Sequence, residues 1–153
     1  MKQIILTAGL PGAGKTTTLK KSEYKDFPVV DPDEVKKTLP GYDPKNPHLV
    51  HAESLKIARE THLMFLAMGT SFVVDGTGTN VEKYIGWINE AKELEYEVVL
   101  LYIKVKVATS LERNAQRERQ VKVSVIREKA LVINQSTKLL GSLCDKFITV
   151  END

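Results

Sequence analysis

Apolar residues fall along this chain in two rhythms. Short unbroken runs at 4–8, 28–30, 71–74, 98–105 and 147–150 are rich in β-branched or aromatic side chains and predict buried strands. Between them, apolar positions recur at helical spacing over 15–24, 32–39, 49–68, 81–94, 107–119 and 123–140. Strand and helix alternate almost throughout, with connections long enough to cross over, so the pattern predicts an α/β fold with a parallel sheet and helices on both faces. Met64, Phe65, Met68 and Trp87 are expected in the core. The stretch 43–47, Asp-Pro-Lys-Asn-Pro, lies between two helices and reads as a flap.

Composition narrows the class. At 153 residues the chain fits one domain spanning 1–153, with no internal repeat. A net charge of +2 excludes the strong basic excess of a dedicated nucleic-acid binder, while leaving room for a local basic groove. The lone Cys144 excludes an internal disulfide and a cysteine-held zinc; it reads as a buried spectator and fits a reducing cytoplasm. No apolar stretch is long enough to span a bilayer, and the chain enters a strand at once, so a cytoplasmic protein without a membrane partner is expected.

Chemistry concentrates where strands end. Gly9-Leu10-Pro11-Gly12-Ala13-Gly14-Lys15-Thr16 is a complete G-x-x-x-x-G-K-[ST] string, placed between the first strand and a helix that starts near Thr17. Small residues let backbone N–H groups curl around a triphosphate, Lys15 reaches the terminal phosphates, and the Thr16 hydroxyl suits Mg²⁺. After the second strand, Asp31 reads as a helix N-cap with Pro32 at the first helical position. Asp33, one step further, either complements the helix dipole or accepts the proton of an attacking hydroxyl. After the third strand comes Asp75-Gly76-Thr77-Gly78-Thr79-Asn80. There Asp75 can hold Mg²⁺ through water, Thr77 and Thr79 can meet an acceptor, and Thr79 or Asn80 can cap the next helix.

Arg113, Arg117, Arg119 and Arg127 form a basic group in which the first two share a helix face. Such arginines are either surface partners of glutamates such as Glu112 and Glu118 or cations that cover phosphates. His48 and His51 have no cysteine nearby, which argues against a metal site.

Taken together, Gly9 to Thr16, Val29-Val30-Asp31-Pro32-Asp33, Leu39-Pro40-Gly41-Tyr42, His51-Ala52-Glu53-Ser54 and Val74-Asp75-Gly76-Thr77-Gly78 resemble the zeta-toxin family of phosphate-loop (P-loop) kinases. The segments 2–16 and 111–127 are also similar to the kinase domain of phage polynucleotide 5′-hydroxyl kinase. The resemblance implies a three-layer P-loop NTPase fold with a five-stranded parallel sheet in the order 2-3-1-4-5. It implies ATP and Mg²⁺ as cofactors, with Gly9, Gly12, Ala13, Gly14, Lys15, Thr16 and Thr17 on the donor and Thr16 and Asp75 at the metal. It makes Asp33 the general base, and Arg113 and Arg117, ahead of Arg119, the clamp that closes over the donor. The implied partner is a hydroxyl-bearing acceptor, either a nucleotide-sugar, a nucleotide or a nucleic-acid 5′ end. Lys36, His51, Glu53, Asp75, Thr77 and Thr79 would meet it. At Lys36 the polynucleotide kinases carry an arginine, so the charge is kept and the bidentate fork is not. Toxicity does not follow from the resemblance, and no antitoxin-like inhibitor is read from the residues. A regulatory ATPase without an acceptor is the reading of another class. No Asn-Lys-x-Asp string for guanine is present, and no glutamate follows Asp75.

Overall fold

The computed structural model describes residues 1–118 and 120–153; Arg119 lies outside the described residues. Five strands, β1 (Gln3–Ala8), β2 (Val29–Val30), β3 (Phe72–Val74), β4 (Glu97–Lys104) and β5 (Lys146–Glu151), form one sheet in the order β2-β3-β1-β4-β5. Every pairing is parallel, with Ile5 opposite both Val73 and Val99. The sheet is flanked by α1 (Lys15–Lys20), α2 (Pro32–Thr38), α3 (His51–Met68), α4 (Val81–Glu93), α5 (Val107–Ala115) and α6 (Val123–Leu143). Architecture and strand order are those implied by the resemblance.

Strands covered on both faces need side chains that are apolar in both directions, which is why these runs do not alternate. Ile4, Ile5, Leu6 and Ala8 of β1 are fully buried, and so are Val98, Val99 and Leu100 of β4. At the edge, β5 alternates instead, with Phe147 partly exposed. Phe72 centres an aromatic cluster with Phe65 and His62 at 5.3 Å each and Tyr96 at 6.1 Å. Burying a side chain of this size stabilises the fold by about 2–3 kcal/mol.

Some expected boundaries move, each for a local reason. The first helix stops at Lys20 because the Ser22 hydroxyl donates to Leu19 O (2.7 Å) and accepts from the Tyr24 N–H, taking backbone groups that another turn would use. The helix expected over 107–119 ends at Ala115. The segment 49–68 opens as a 3-10 turn, Pro47–Val50, before α3 begins. The buried stripe of α3 is Ser54, Ala58, His62 and Leu66, four residues apart, which leaves Met64 and Met68 on the outer face, 50% and 66% exposed. Their expected core role is corrected accordingly. Cys144 is half-buried, and burial pushes its thiol up to about 11.

Candidate active site

The carboxyl ends of β1, β2 and β3 open onto one groove of ≈ 1590 Å³ that runs from the Gly12–Thr17 stretch past Asp33 to α3 and α4. This is where an open α/β sheet binds ligands, because the helices that follow its strands diverge there.

The 9–16 loop is held from several sides. Gly12 (φ +76°) and Gly14 (φ +92°) sit in the left-handed region, which glycine adopts without a Cβ penalty. The Gly9 N–H donates to Thr77 O (3.0 Å), and the Ala13 N–H to Leu10 O (3.0 Å). Ser110 of α5 donates its hydroxyl to Pro11 O at 2.5 Å. Lys15 folds over the loop, its Nζ donating to Gly9 O (3.1 Å) and Leu10 O (3.4 Å). Burial lowers the Lys15 pKa, with the Arg117 charge adding to the shift and Asp75 opposing it. A buried ammonium whose hydrogen-bond partners are neutral carbonyls fits a polyanion such as a triphosphate.

Acidic groups gather across from it. Asp31 is the N-cap of α2, its Oδ1 accepting the Asp33 N–H at 2.9 Å, as the sequence predicts. Burial, with the Asp75 charge next in size, pushes the Asp31 carboxyl up to about 6. Asp75 is also raised, chiefly by burial, against the pull of Lys15 and a hydrogen bond from Thr7. That bond runs from Thr7 Oγ1 to Asp75 Oδ1 at 2.8 Å, and the same hydroxyl accepts the Gly76 N–H at 3.0 Å. Among the described residues no three His, Cys, Asp or Glu side chains form a metal cluster. Asp75 and Thr16 both line the groove and are oxygen donors of the kind that could hold an Mg²⁺ together with phosphate and water.

Asp33 is 45% exposed at the groove, 3.5 Å from the Lys36 ammonium, which is 8% exposed. His51 opens α3 and lines the groove, held below its ordinary pKa by burial and then by Lys36. Thr77 and Thr79 line it as well, their hydroxyls 2.9 Å apart. Glu53 is exposed and outside the groove lining, because two positions on from His51 is more than half a turn around a helix. Asn80 caps α4, accepting the Lys83 N–H at 3.2 Å.

Several groove residues were not legible as such in the sequence. Trp87, expected in the core, is half-buried and lines the groove, with the Lys83 ammonium 5.1 Å from its ring centroid and Tyr84 4.9 Å away. Tyr84 donates its hydroxyl to Thr7 O at 2.7 Å. Lys129 reaches in from α6 to Thr79 Oγ1 at 3.3 Å. Thr7 was the one signal available, a hydroxyl inside an otherwise apolar strand.

The two arginines occupy different settings. Arg113 donates to Gly12 O (3.2 Å), Ala13 O (3.4 Å) and Asn152 O (2.8 Å), which fastens it to the loop. Arg117 lies in the turn after α5 and lines the groove. The base of that turn is closed by Asn114, whose side chain donates to Val121 O (2.8 Å) and accepts the Val121 N–H (2.9 Å).

Comparison with known proteins agrees with this geometry. The model of a family described as an AAA domain matches residues 4–139. No curated protein matches by sequence. Among solved structures, a chain of the PezAT toxin–antitoxin system of Streptococcus pneumoniae superposes with a TM-score of 0.78 at 19% identity, covering 100% of this chain and 69% of that one. A chain of the AvrRxo1-ORF1:-ORF2 complex with ATP gives 0.74 at 21% identity, covering 93% of this chain and 50% of the other. A chain of the Pnkp1/Rnl/Hen1 RNA repair complex gives 0.73 at 14% identity, with coverages of 90% and 46%. The last two are about twice as long as the part this chain matches. At these identities the likeness shows a shared fold.

Proposed function

From a chain that belongs to the AAA domain family by a match over residues 4–139, we propose an ATP- and Mg²⁺-dependent kinase that transfers the γ-phosphoryl group to a hydroxyl. One observation supports this reading above the others: the groove is continuous from the phosphate loop to Asp33 and on to the α3–α4 side, which leaves room for a donor and an acceptor side by side. A plain ATPase needs only the first of them.

In this reading the N–H groups of Gly12, Gly14 and the first turn of α1 surround the donor's phosphates, and Lys15 exchanges its loop carbonyls for β- and γ-oxygens. Thr16, and Asp75 through water, would hold an Mg²⁺, which would supply neutralising charge to the phosphates. Asp33 takes the proton of the attacking hydroxyl, its carboxylate oriented by the Lys36 ammonium 3.5 Å away. Arg117 covers the phosphates, and Arg113, which lines the groove as well, holds the loop carbonyls of Gly12 and Ala13. No covalent enzyme intermediate is needed. His51, Thr77 and Thr79 hold the acceptor.

A nucleotide-sugar or nucleotide acceptor comes first, supported by the likeness to the toxin–antitoxin chain. Phosphorylation of a nucleic-acid 5′ end comes second, supported by the likeness to the RNA repair complex. The deciding experiment measures ADP release with and without sugar nucleotides, nucleosides and oligonucleotides, following labelled phosphate into product. Stimulation by one acceptor class, abolished in Asp33→Asn, is expected. Turnover indifferent to every acceptor and retained in Asp33→Asn would leave the regulatory ATPase.

A further inference from the structure

Behind the phosphate loop, the chain beyond β5 comes back to it. The Asn152 N–H donates to Lys104 O at 2.9 Å, which continues the β4–β5 pairing by one residue and fixes where Asn152 sits. Its side-chain Nδ2 then donates to Ala13 O at 2.7 Å, and its carbonyl accepts from Arg113 Nη2 at 2.8 Å. Asp153 secures the far side, accepting the Lys106 N–H and the Thr109 hydroxyl, each at 2.8 Å. A Cβ built on Gly14 would collide with the Asn152 amide. Glycine is favoured there by its φ of +92°, and any Cβ would also displace this side chain.

The contact falls on one particular peptide unit. A peptide is planar, with its N–H directed opposite to its C=O. Ala13 O is held at 2.7 Å by Asn152, which is not among the groove's lining residues, and more loosely, at 3.4 Å, by Arg113, which is. The Gly14 N–H is thereby turned to the other side, toward the groove that Gly14 lines. It has no backbone acceptor among the described residues.

We propose that Asn152 is a positioning residue of the donor site, its amide orienting the Ala13–Gly14 peptide so that the Gly14 N–H is presented to the donor's phosphates. The inference rests on the ATP reading above and adds a residue outside the phosphate-loop motif to it.

The test is calorimetric binding of ATP and of tripolyphosphate to the full chain and to Asn152→Ala, Asn152→Asp and Asn152→Gln, with KM and kcat measured beside it. Asn152→Ala should weaken both ligands by the same factor, about tenfold for one lost hydrogen bond. It should raise KM for ATP while leaving kcat nearly unchanged, since the contact serves ground and transition states alike. Asn152→Asp, which sets a carboxylate against the Ala13 carbonyl, should weaken binding further, and Asn152→Gln should recover part of the loss. Equal ATP affinity in wild type and Asn152→Ala overturns the positioning role alone. Loss of ATP affinity with tripolyphosphate unaffected overturns it in favour of a contact to the nucleoside. A wild-type chain that binds neither ligand overturns the ATP reading and this inference together. If Asn152→Ala melts more than a few degrees lower, the same two-ligand ratio measured on Asn152→Gln well below its transition decides.

Discussion

At the scale of single residues, the site is a set of charges whose neighbours matter more than their identity. Lys15 is buried with carbonyl partners, so its charge is available to whatever anion enters, and Lys15→Ala should lower kcat on the order of hundredfold or more. Steady-state kinetics at saturating ATP would register it; near-normal turnover would remove Lys15 from the chemistry. Asp31 makes a different prediction. Its carboxyl titrates near 6 in the fold against an ordinary 3.8, so between those values the native state holds a proton that the unfolded chain has released. Stability from this group therefore falls as pH rises from about 4 to 6, by a total on the order of 3 kcal/mol. Asn can still cap α2, so Asp31→Asn should raise the melting temperature at pH 7 and leave it almost unchanged at pH 4. The motif residues were readable from sequence because each is tied to its neighbours along the chain. Thr7, Tyr84 and Lys129 were not, since their partners lie 68, 77 and 50 positions away.

Elements were legible where one local rule decides them and blurred where two compete. α2 was fixed by Asp31 as cap and Pro32 behind it, and it starts where those residues require. α5 was read too long because helical periodicity continues past Ala115 while the buried Asn114 side chain, 3% exposed, turns away to bond Val121. That side chain closes the turn carrying Arg117. Asn114→Ala should raise KM for ATP several-fold, a cost of about 1–2 kcal/mol from the two lost hydrogen bonds, with a smaller effect on kcat. It should also speed tryptic cleavage after Arg117. Unchanged KM together with unchanged cleavage would separate this turn from donor binding.

The whole molecule is a parallel sheet whose buried strands advertise themselves as apolar runs, so strand count, layers and crossover pattern could be read from the sequence, and strand order from the resemblance. The groove was less legible because it is a property of the assembly. His51, Trp87 and Lys129 come from three helices and meet only once the sheet has brought α3, α4 and α6 together. A ligand that binds only the folded groove stabilises it by mass action. A non-hydrolysable ATP analogue at about 100 times its Kd should raise the melting temperature by about 5–10 °C, read by differential scanning calorimetry. Absence of any shift would argue against a preformed donor site. One contact has a wider reach. The Thr7 residue bonds Asp75, beside the donor, through its hydroxyl and Tyr84, on the acceptor side, through its carbonyl. On the proposed assignment, a single residue of the central strand joins the donor and acceptor sides, and any coupling of the two affinities through it must by linkage be reciprocal. Kinetically, that is synergy between donor and acceptor, and Tyr84→Phe should reduce it even where neither substrate touches the missing hydroxyl.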